Sequence, residues 1–283
     1  MKIVAVQFDY PGAQSKYDTL SRVFEHSVKK NCPSANFVLI KIPPPQLKGL
    51  KRCFDSNTIK LWHWQDQLKC DDEQVVFMDC DMIVLHDIAC AFDDPGFDIG
   101  LTTRSNGNLL TGGRLPINGG VIFVRNNAAG KEWVDIFAAV NQRMFDDPLF
   151  HQPWRDRYGG MNQAAMGYVL EKKTFSARIK KFSCMTWNSC KPEWQYIDEA
   201  TKIIHIKSDV RRAVFHEQRD AALDLKYKCA LFHWRTLAAE IGLINPAEVG
   251  KVPDVRLPVN QFTNYRPERI GGKVRWHQRS LTP

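Results

Sequence analysis

A short apolar run that breaks off in two aspartates, Val75-Val76-Phe77-Met78-Asp79-Cys80-Asp81, constrains this chain more than any other feature. A continuous apolar segment of that length suits a strand buried on both faces of a parallel sheet. Such a strand delivers Asp79 and Asp81 together at the sheet's end. Paired carboxylates there suit a hard divalent cation, magnesium or manganese. A cation so held neutralises the charge that builds on a diphosphate leaving group.

The surrounding pattern supports a sheet of that kind. Lys2–Phe8 and Asn36–Ile40 are further apolar strands, the second closed by Pro43-Pro44-Pro45. Tyr17, Leu20, Val23, Phe24 and Val28 recur at helical spacing, and Ile59–Leu68 reads as a helix. Phe97–Thr103 and Gly120–Val124 read as strands, with a glycine-rich loop, Ser105–Pro116, between them. Trp133, Ile136, Phe137, Val140 and Met144 mark a helix, Asn162–Leu170 another, and Ile203–Ile206 a late strand. Alternation of this kind predicts an α/β fold with a mostly parallel sheet. Ligands in open α/β sheets lie outside the carboxyl ends of the strands. That rule directs attention to Gln7–Tyr10, Asp79–Asp81 and His205–Ser208.

His205, placed after a late strand in Ile203-Ile204-His205-Ile206-Lys207-Ser208, is a candidate third ligand for the cation at Asp79 and Asp81. Asn118-Gly119-Gly120 opens a strand; its glycines let backbone approach a ligand closely, and Asn118 carries donor and acceptor groups for a sugar hydroxyl. Lys60 and Arg104 join Asn118, Gly119 and Gly120 as candidate ligand-binding residues. The aromatic segment Phe145–Tyr158, with Phe150, Trp154 and Tyr158, either packs or stacks on acceptor rings.

Composition narrows the class. The chain has 283 residues, enough for one sizeable core, and a formal charge of +8. No apolar run approaches the roughly 18 residues that span a bilayer, and the start, Met1–Gln7, lacks the pattern of a signal peptide. None of the eight cysteines forms a Cys-x-x-Cys pair, which argues against zinc-ribbon or thioredoxin-type chemistry and for scattered reduced thiols in the cytoplasm. Residues 1–250 are expected to form the catalytic domain. Residues 251–283, with seven basic residues against two acidic ones, form a basic extension without a defensible helical or strand period. This extension is either a solvated tail or a cationic arm for a polyanion.

Taken in order, these motifs resemble the retaining nucleotide-sugar glycosyltransferases of the A-type fold (GT-A), close to the glycogenin and lipopolysaccharide galactosyltransferase group. The resemblance runs from about residue 2 to about residue 212. It implies a Rossmann-like fold with a mostly parallel central sheet and helices on both faces, and a UDP-sugar donor held with manganese. On this likeness Gln7, Asp9 and Tyr10 take the place of the residues that hold the nucleobase and ribose. Asp79 and Asp81 match the family's Asp-x-Asp, and Asn118 and Gly120 its Asn-x-Gly. Asn162-Gln163 fall on its Asp-Gln pair, which faces the transferred sugar, and Trp187-Asn188 on its Trp-Asn. Its closing His-x-x-Gly-x-x-Lys falls on His205, Ser208 and Arg211. Three departures stand out. Asn162 lacks the family's carboxylate, Ser208 replaces a glycine that meets the phosphates, and Arg211 replaces a lysine.

The implied reaction is transfer of a hexose from the UDP-sugar to an acceptor: a glycan, protein, lipid or modified nucleic acid. Asp79, Asp81 and His205 hold the metal, Lys207 or Arg211 adds positive charge at the diphosphate, and Gln163 and Asn162 face the reacting sugar. Three rival readings share part of this pattern. A phosphatase-like hydrolase normally carries its Asp-x-Asp after the first strand. A sugar-nucleotidyltransferase carries a basic glycine-rich loop after that strand, unlike Phe8-Asp9-Tyr10-Pro11. A non-catalytic nucleic-acid or polyanion binding module leaves Asp79, Asp81 and His205 unexplained.

Overall fold

The structure is a computed structural model. It describes residues 1–9, 14–104, 116–191, 193–215 and 225–250, with the backbone alone of 265–270 and 273–278. Tyr10, most of the glycine-rich loop and most of the basic extension lie outside the described residues.

Six strands form the central sheet: β1 (Lys2–Phe8), β2 (Asn36–Ile42), β3 (Val75–Asp79), β5 (Ile99–Thr103), β6 (Ile117–Val124) and β7 (Ile179–Ser183). Their order is β2-β1-β3-β6-β5-β7. All run parallel except β6, which is antiparallel to both neighbours. The sheet is therefore mostly parallel, as the apolar runs predict. Alternate side chains leave opposite faces of a strand, and the core divides accordingly. Val4, Val6, Val75 and Phe77 point to one face, against α2 (Gly49–Cys70), α3 (Ala128–Asp146) and α5 (Asn162–Lys172). Ile3, Ala5, Val76 and Met78 point to the other, against α1 (Gln14–Asn31). Trp64 stacks on Phe77 at 4.5 Å, a pairing that adds about 0.5–1.5 kcal/mol beyond its buried area.

A two-stranded ribbon, β4 (Met82–Val84) with β8 (Ile203–His205), stands apart from this sheet. The late strand expected from the sequence is β8, but its partner β4 was not foreseen. Ile83 and Ile204 pack the ribbon into a third core with α7 (Ser208–Val214) and α8 (Leu225–Glu240).

Local chemistry sets the breaks between helices. Asn127 caps α3 by accepting from the Gly130 N–H. Asp147 accepts from the N–H groups of Leu149 and Phe150, and Pro148 follows it, so α4 (Pro148–Tyr158) starts afresh after α3. Gly159 and Gly160, both at positive φ, turn the chain into α5. Phe145 of the aromatic segment lies in the last turn of α3, and its other aromatic residues lie on α4, where they pack: Phe150 and Trp154 meet Tyr168 of α5 edge-on at 5.2 and 5.0 Å. α6 is one turn, Cys184–Trp187. The basic extension carries an antiparallel hairpin, β9 (Tyr265–Ile270) with β10 (Lys273–Gln278), where the sequence showed no strand period.

Candidate active site

Asp79 ends β3, and Asp81 follows as the chain turns into β4. The ribbon register pairs Met82 with His205, and the Ile206 N–H donates to the Asp81 carbonyl at 2.7 Å. A residue 124 positions away is thereby locked beside the aspartates. His205 Nε2 lies 3.1 Å from Asp81 Oδ1 and 3.8 Å from Asp79 Oδ2. One ligand atom from each of the three residues falls within 4.8 Å of the others. Two ligands at right angles about 2.1 Å from a metal stand about 3 Å apart, so the three side chains fit a divalent ion. Two carboxylates and one imidazole suit manganese or magnesium.

Cations already face these carboxylates. Lys60, on α2, donates to Asp79 Oδ1 at 2.9 Å and sits over the Trp64 ring. Arg211, on α7, donates to Asp81 Oδ2 at 3.3 Å. Burial works to raise the Asp81 carboxyl, but His205, Arg211 and Lys207 outweigh it and hold the group below its usual range. Between the aspartates, burial pushes the Cys80 thiol far up, and both carboxylates add to the shift. Cys80 is therefore held as a neutral thiol.

A chain of buried amides and hydroxyls backs the histidine. Asn188 Oδ1 faces His205 Nδ1 at 3.3 Å, and Asn188 Nδ2 donates to Thr102 Oγ1 at 2.9 Å. Thr102 Oγ1 in turn donates to the Asn118 carbonyl at 2.7 Å. With that oxygen against Nδ1, the Nδ1 proton is held there and Nε2 is turned toward the aspartates, as a metal-ligating imidazole requires. Asn188 falls on the family's Trp-Asn, yet the sequence did not say what it holds.

Asn118 lies within β6, not ahead of it. Its Nδ2 donates to Cys190 Sγ at 3.0 Å, and its Oδ1 accepts from the Gly120 N–H at 3.2 Å. Gly119 and Gly120 make room for the protein's own side chains. A Cβ on Gly120 would lie 2.8 Å from His205 Nδ1, and one on Gly119 2.7 Å from Met166 Cε. Gln163 Nε2, in the first turn of α5, donates to the Ile117 carbonyl at 3.0 Å. Asn162 beside it is buried, and its Oδ1 has no partner among the described residues. An orphaned buried oxygen is costly and marks a place for a ligand donor.

Gln7 is fully buried; its Nε2 donates to Asp9 and Asp18, at 2.9 and 2.7 Å. Gln7 therefore holds Asp9 rather than opening onto solvent, while Tyr10 lies outside the described residues. Ser208 adopts φ +53°, which explains why a glycine stands there in the family it resembles. Lys207 precedes it, and Arg104 closes β5.

Sequence reasoning missed a buried cluster next to Asn118. Cys190 Sγ lies 3.5 Å from Glu193 Oε2, and both residues are fully enclosed. Burial, with the neighbouring Cys190, pushes the Glu193 carboxyl up to about 7. Hydrogen bonding to Cys190, with burial, raises the Cys184 thiol. A lone glutamate in Lys191-Pro192-Glu193-Trp194 carries no signal of this in the sequence.

With the geometry in hand, known structures place the fold. It is that of the GT-A glycosyltransferases. No protein-family model matches the chain, and no curated protein does. Among solved structures, it is similar to a glycosyltransferase involved in glycosylation of the major capsid of PBCV-1, at 15% identity and TM-score 0.54, over 77% of this chain and 100% of that one. It is also similar to the galactosyltransferase LgtC in complex with donor and acceptor sugar analogs, at 14% identity and TM-score 0.55, over 87% and 98% of the two chains. An active-site mutant of LgtC matches at 12% identity and TM-score 0.52, over 85% and 96%.

Proposed function

We propose that this chain is a metal-dependent glycosyltransferase that moves a hexose from a UDP-sugar to an acceptor with retention of configuration. The observation that carries the reading is the convergence of Asp79, Asp81 and His205 at the end of a GT-A sheet. A phosphatase-like or nucleotidyltransferase reading gains nothing from the structure. Asp79 ends the third strand in chain order, and β1, which carries Gln7, is followed by the sequence Asp9-Tyr10-Pro11, which holds no basic residue.

Asp79, Asp81 and His205 hold the cation, manganese or magnesium, which when bound supplies Lewis acidity toward the departing diphosphate. Arg211 and Lys207 add fixed positive charge beside it, and preorganised charge of this kind is often the largest catalytic contribution. Lys60 and Arg104 extend that positive field. Asp9, braced by Gln7 and next to Tyr10, takes the ribose and base. Ser208 presents backbone to the phosphates, and Asn118, Gly119 and Gly120 shape the floor of the sugar site. Asn162 and Gln163 orient the sugar, with Gln163 near the reacting carbon. No other nucleophile is assigned, so the acceptor attacks from the face the diphosphate leaves. We place the activity in the cytoplasm, where free cysteines such as Cys53, Cys70 and Cys90 persist reduced. No described helix is long and apolar enough to cross a membrane.

Calorimetry with UDP-glucose and UDP-galactose, with and without manganese, tests the reading. Binding should require manganese and vanish in the Asp79→Asn, Asp81→Asn variant while the circular dichroism stays native. Binding of neither sugar nucleotide with metal present would sink it.

A further inference from the structure

A cavity whose described lining includes none of the candidate metal ligands opens next to Ile117. It has a volume of about 320 Å³ and lies between the sheet and α5, within the lower range of small-molecule sites. Its walls are apolar: Leu101 of β5, Ile117 of β6, Leu170 of α5, then Phe175 and Ile179 leading into β7. Ile117 also carries the Gln163 amide on its carbonyl, at 3.0 Å. The cavity and the sugar-facing residues thus share a wall.

The described lining has two charges, and both are positive. Lys173 and Lys181 are exposed, and among the described residues neither ammonium has an ion-pair or hydrogen-bond partner. Lys181 stands on the same face of β7 as Ile179, two residues before it. Lys173 caps α5 in the left-handed region, at φ +51°, a conformation that favours glycine or asparagine. No carboxylate is among the described residues that line the cavity. An apolar chamber with two unmatched ammonium groups is complementary to a small apolar molecule that carries one anionic group.

We propose that this cavity binds an amphiphilic anion, an alkyl or aryl group with one phosphate or carboxylate, and that it anchors the non-sugar part of the acceptor. The acceptor role rests on the glycosyltransferase reading; the binding does not.

Octyl phosphate, below its micelle concentration, is the probe for calorimetry on the full chain. n-Octanol and inorganic phosphate separate the apolar and ionic contributions. The expected result is one octyl phosphate per chain, with affinity at least about tenfold weaker in a Lys173→Gln, Lys181→Gln variant and weaker for n-octanol. Inorganic phosphate alone should not bind there. Ile179→Trp fills the chamber and should block the probe. The two lysines are exposed, so their variant tests the idea even if the tryptophan variant fails to fold. No binding to a chain with native circular dichroism, or equal affinity in the lysine variant, overturns the site. UDP-galactose binding with manganese, measured on the same samples, separates the two readings. Donor binding without octyl phosphate binding overturns the cavity alone. Octyl phosphate binding without donor binding overturns the acceptor role.

Discussion

His205 meets Asp81 through Nε2 because Asn188 occupies its other ring nitrogen. Asn188→Ala removes that brace, and manganese affinity should fall about 10- to 100-fold, read by calorimetry on protein whose circular dichroism stays native, with about 1–3 kcal/mol of stability lost to the buried partners it orphans. Unchanged affinity would show that packing alone holds the ring. Glu193 makes a separate prediction. Its folded-state value is about 7 against an ordinary 4.5, so the folded protein binds the proton more tightly. The stability linked to Glu193 is fully present below about pH 4.5 and is lost as pH rises through 7. Urea unfolding across that window should show stability that falls more, or rises less, with pH than in Glu193→Gln; an identical slope in both proteins would refute it. At this scale Asp79 and Asp81 were legible, since an apolar run ending in carboxylates is a local pattern. Glu193 and Cys190 were not, because a residue's burial is set by what folds over it.

The β4–β8 ribbon is the element that completes the site. Its register sets Met82 against His205, and Gly120 of β6 leaves space for both side chains. Gly120→Ala places a Cβ 2.8 Å from the histidine ring. Such overpacking costs about 1–3 kcal/mol. It should also weaken manganese binding at least about tenfold; native metal affinity in a folded Gly120→Ala protein would contradict the close contact. The longer elements were readable in advance, because β1, β3, α1 and α3 each bury a periodic or continuous apolar set. Three-residue β4 was not. Met82-Ile83-Val84 is too short to carry a period, and its pairing depends on a segment more than a hundred residues away.

At the scale of the whole molecule, charge is unevenly placed: the formal total is +8, and residues 251–283 hold seven basic residues against two acidic. The candidate metal ligands, the six-stranded sheet and the described residues of all three cores lie before residue 251. A chain truncated after Gly250 should keep its circular dichroism and its manganese-dependent UDP-sugar binding. Loss of sugar-nucleotide binding on truncation would make the extension part of the donor site. The sequence by itself determined the alternation of strands and helices, the mostly parallel sheet and the position of Asp79 and Asp81. Each of these depends on the spacing of neighbouring residues, and hydrophobic periodicity acts over that range. The tertiary structure decided that His205 faces those aspartates, that Asn188 turns its ring, and that Lys60 and Arg211 come to the same carboxylates. Those contacts join segments far apart in the chain, and only packing of the sheet, the ribbon and α7 brings them within hydrogen-bonding reach.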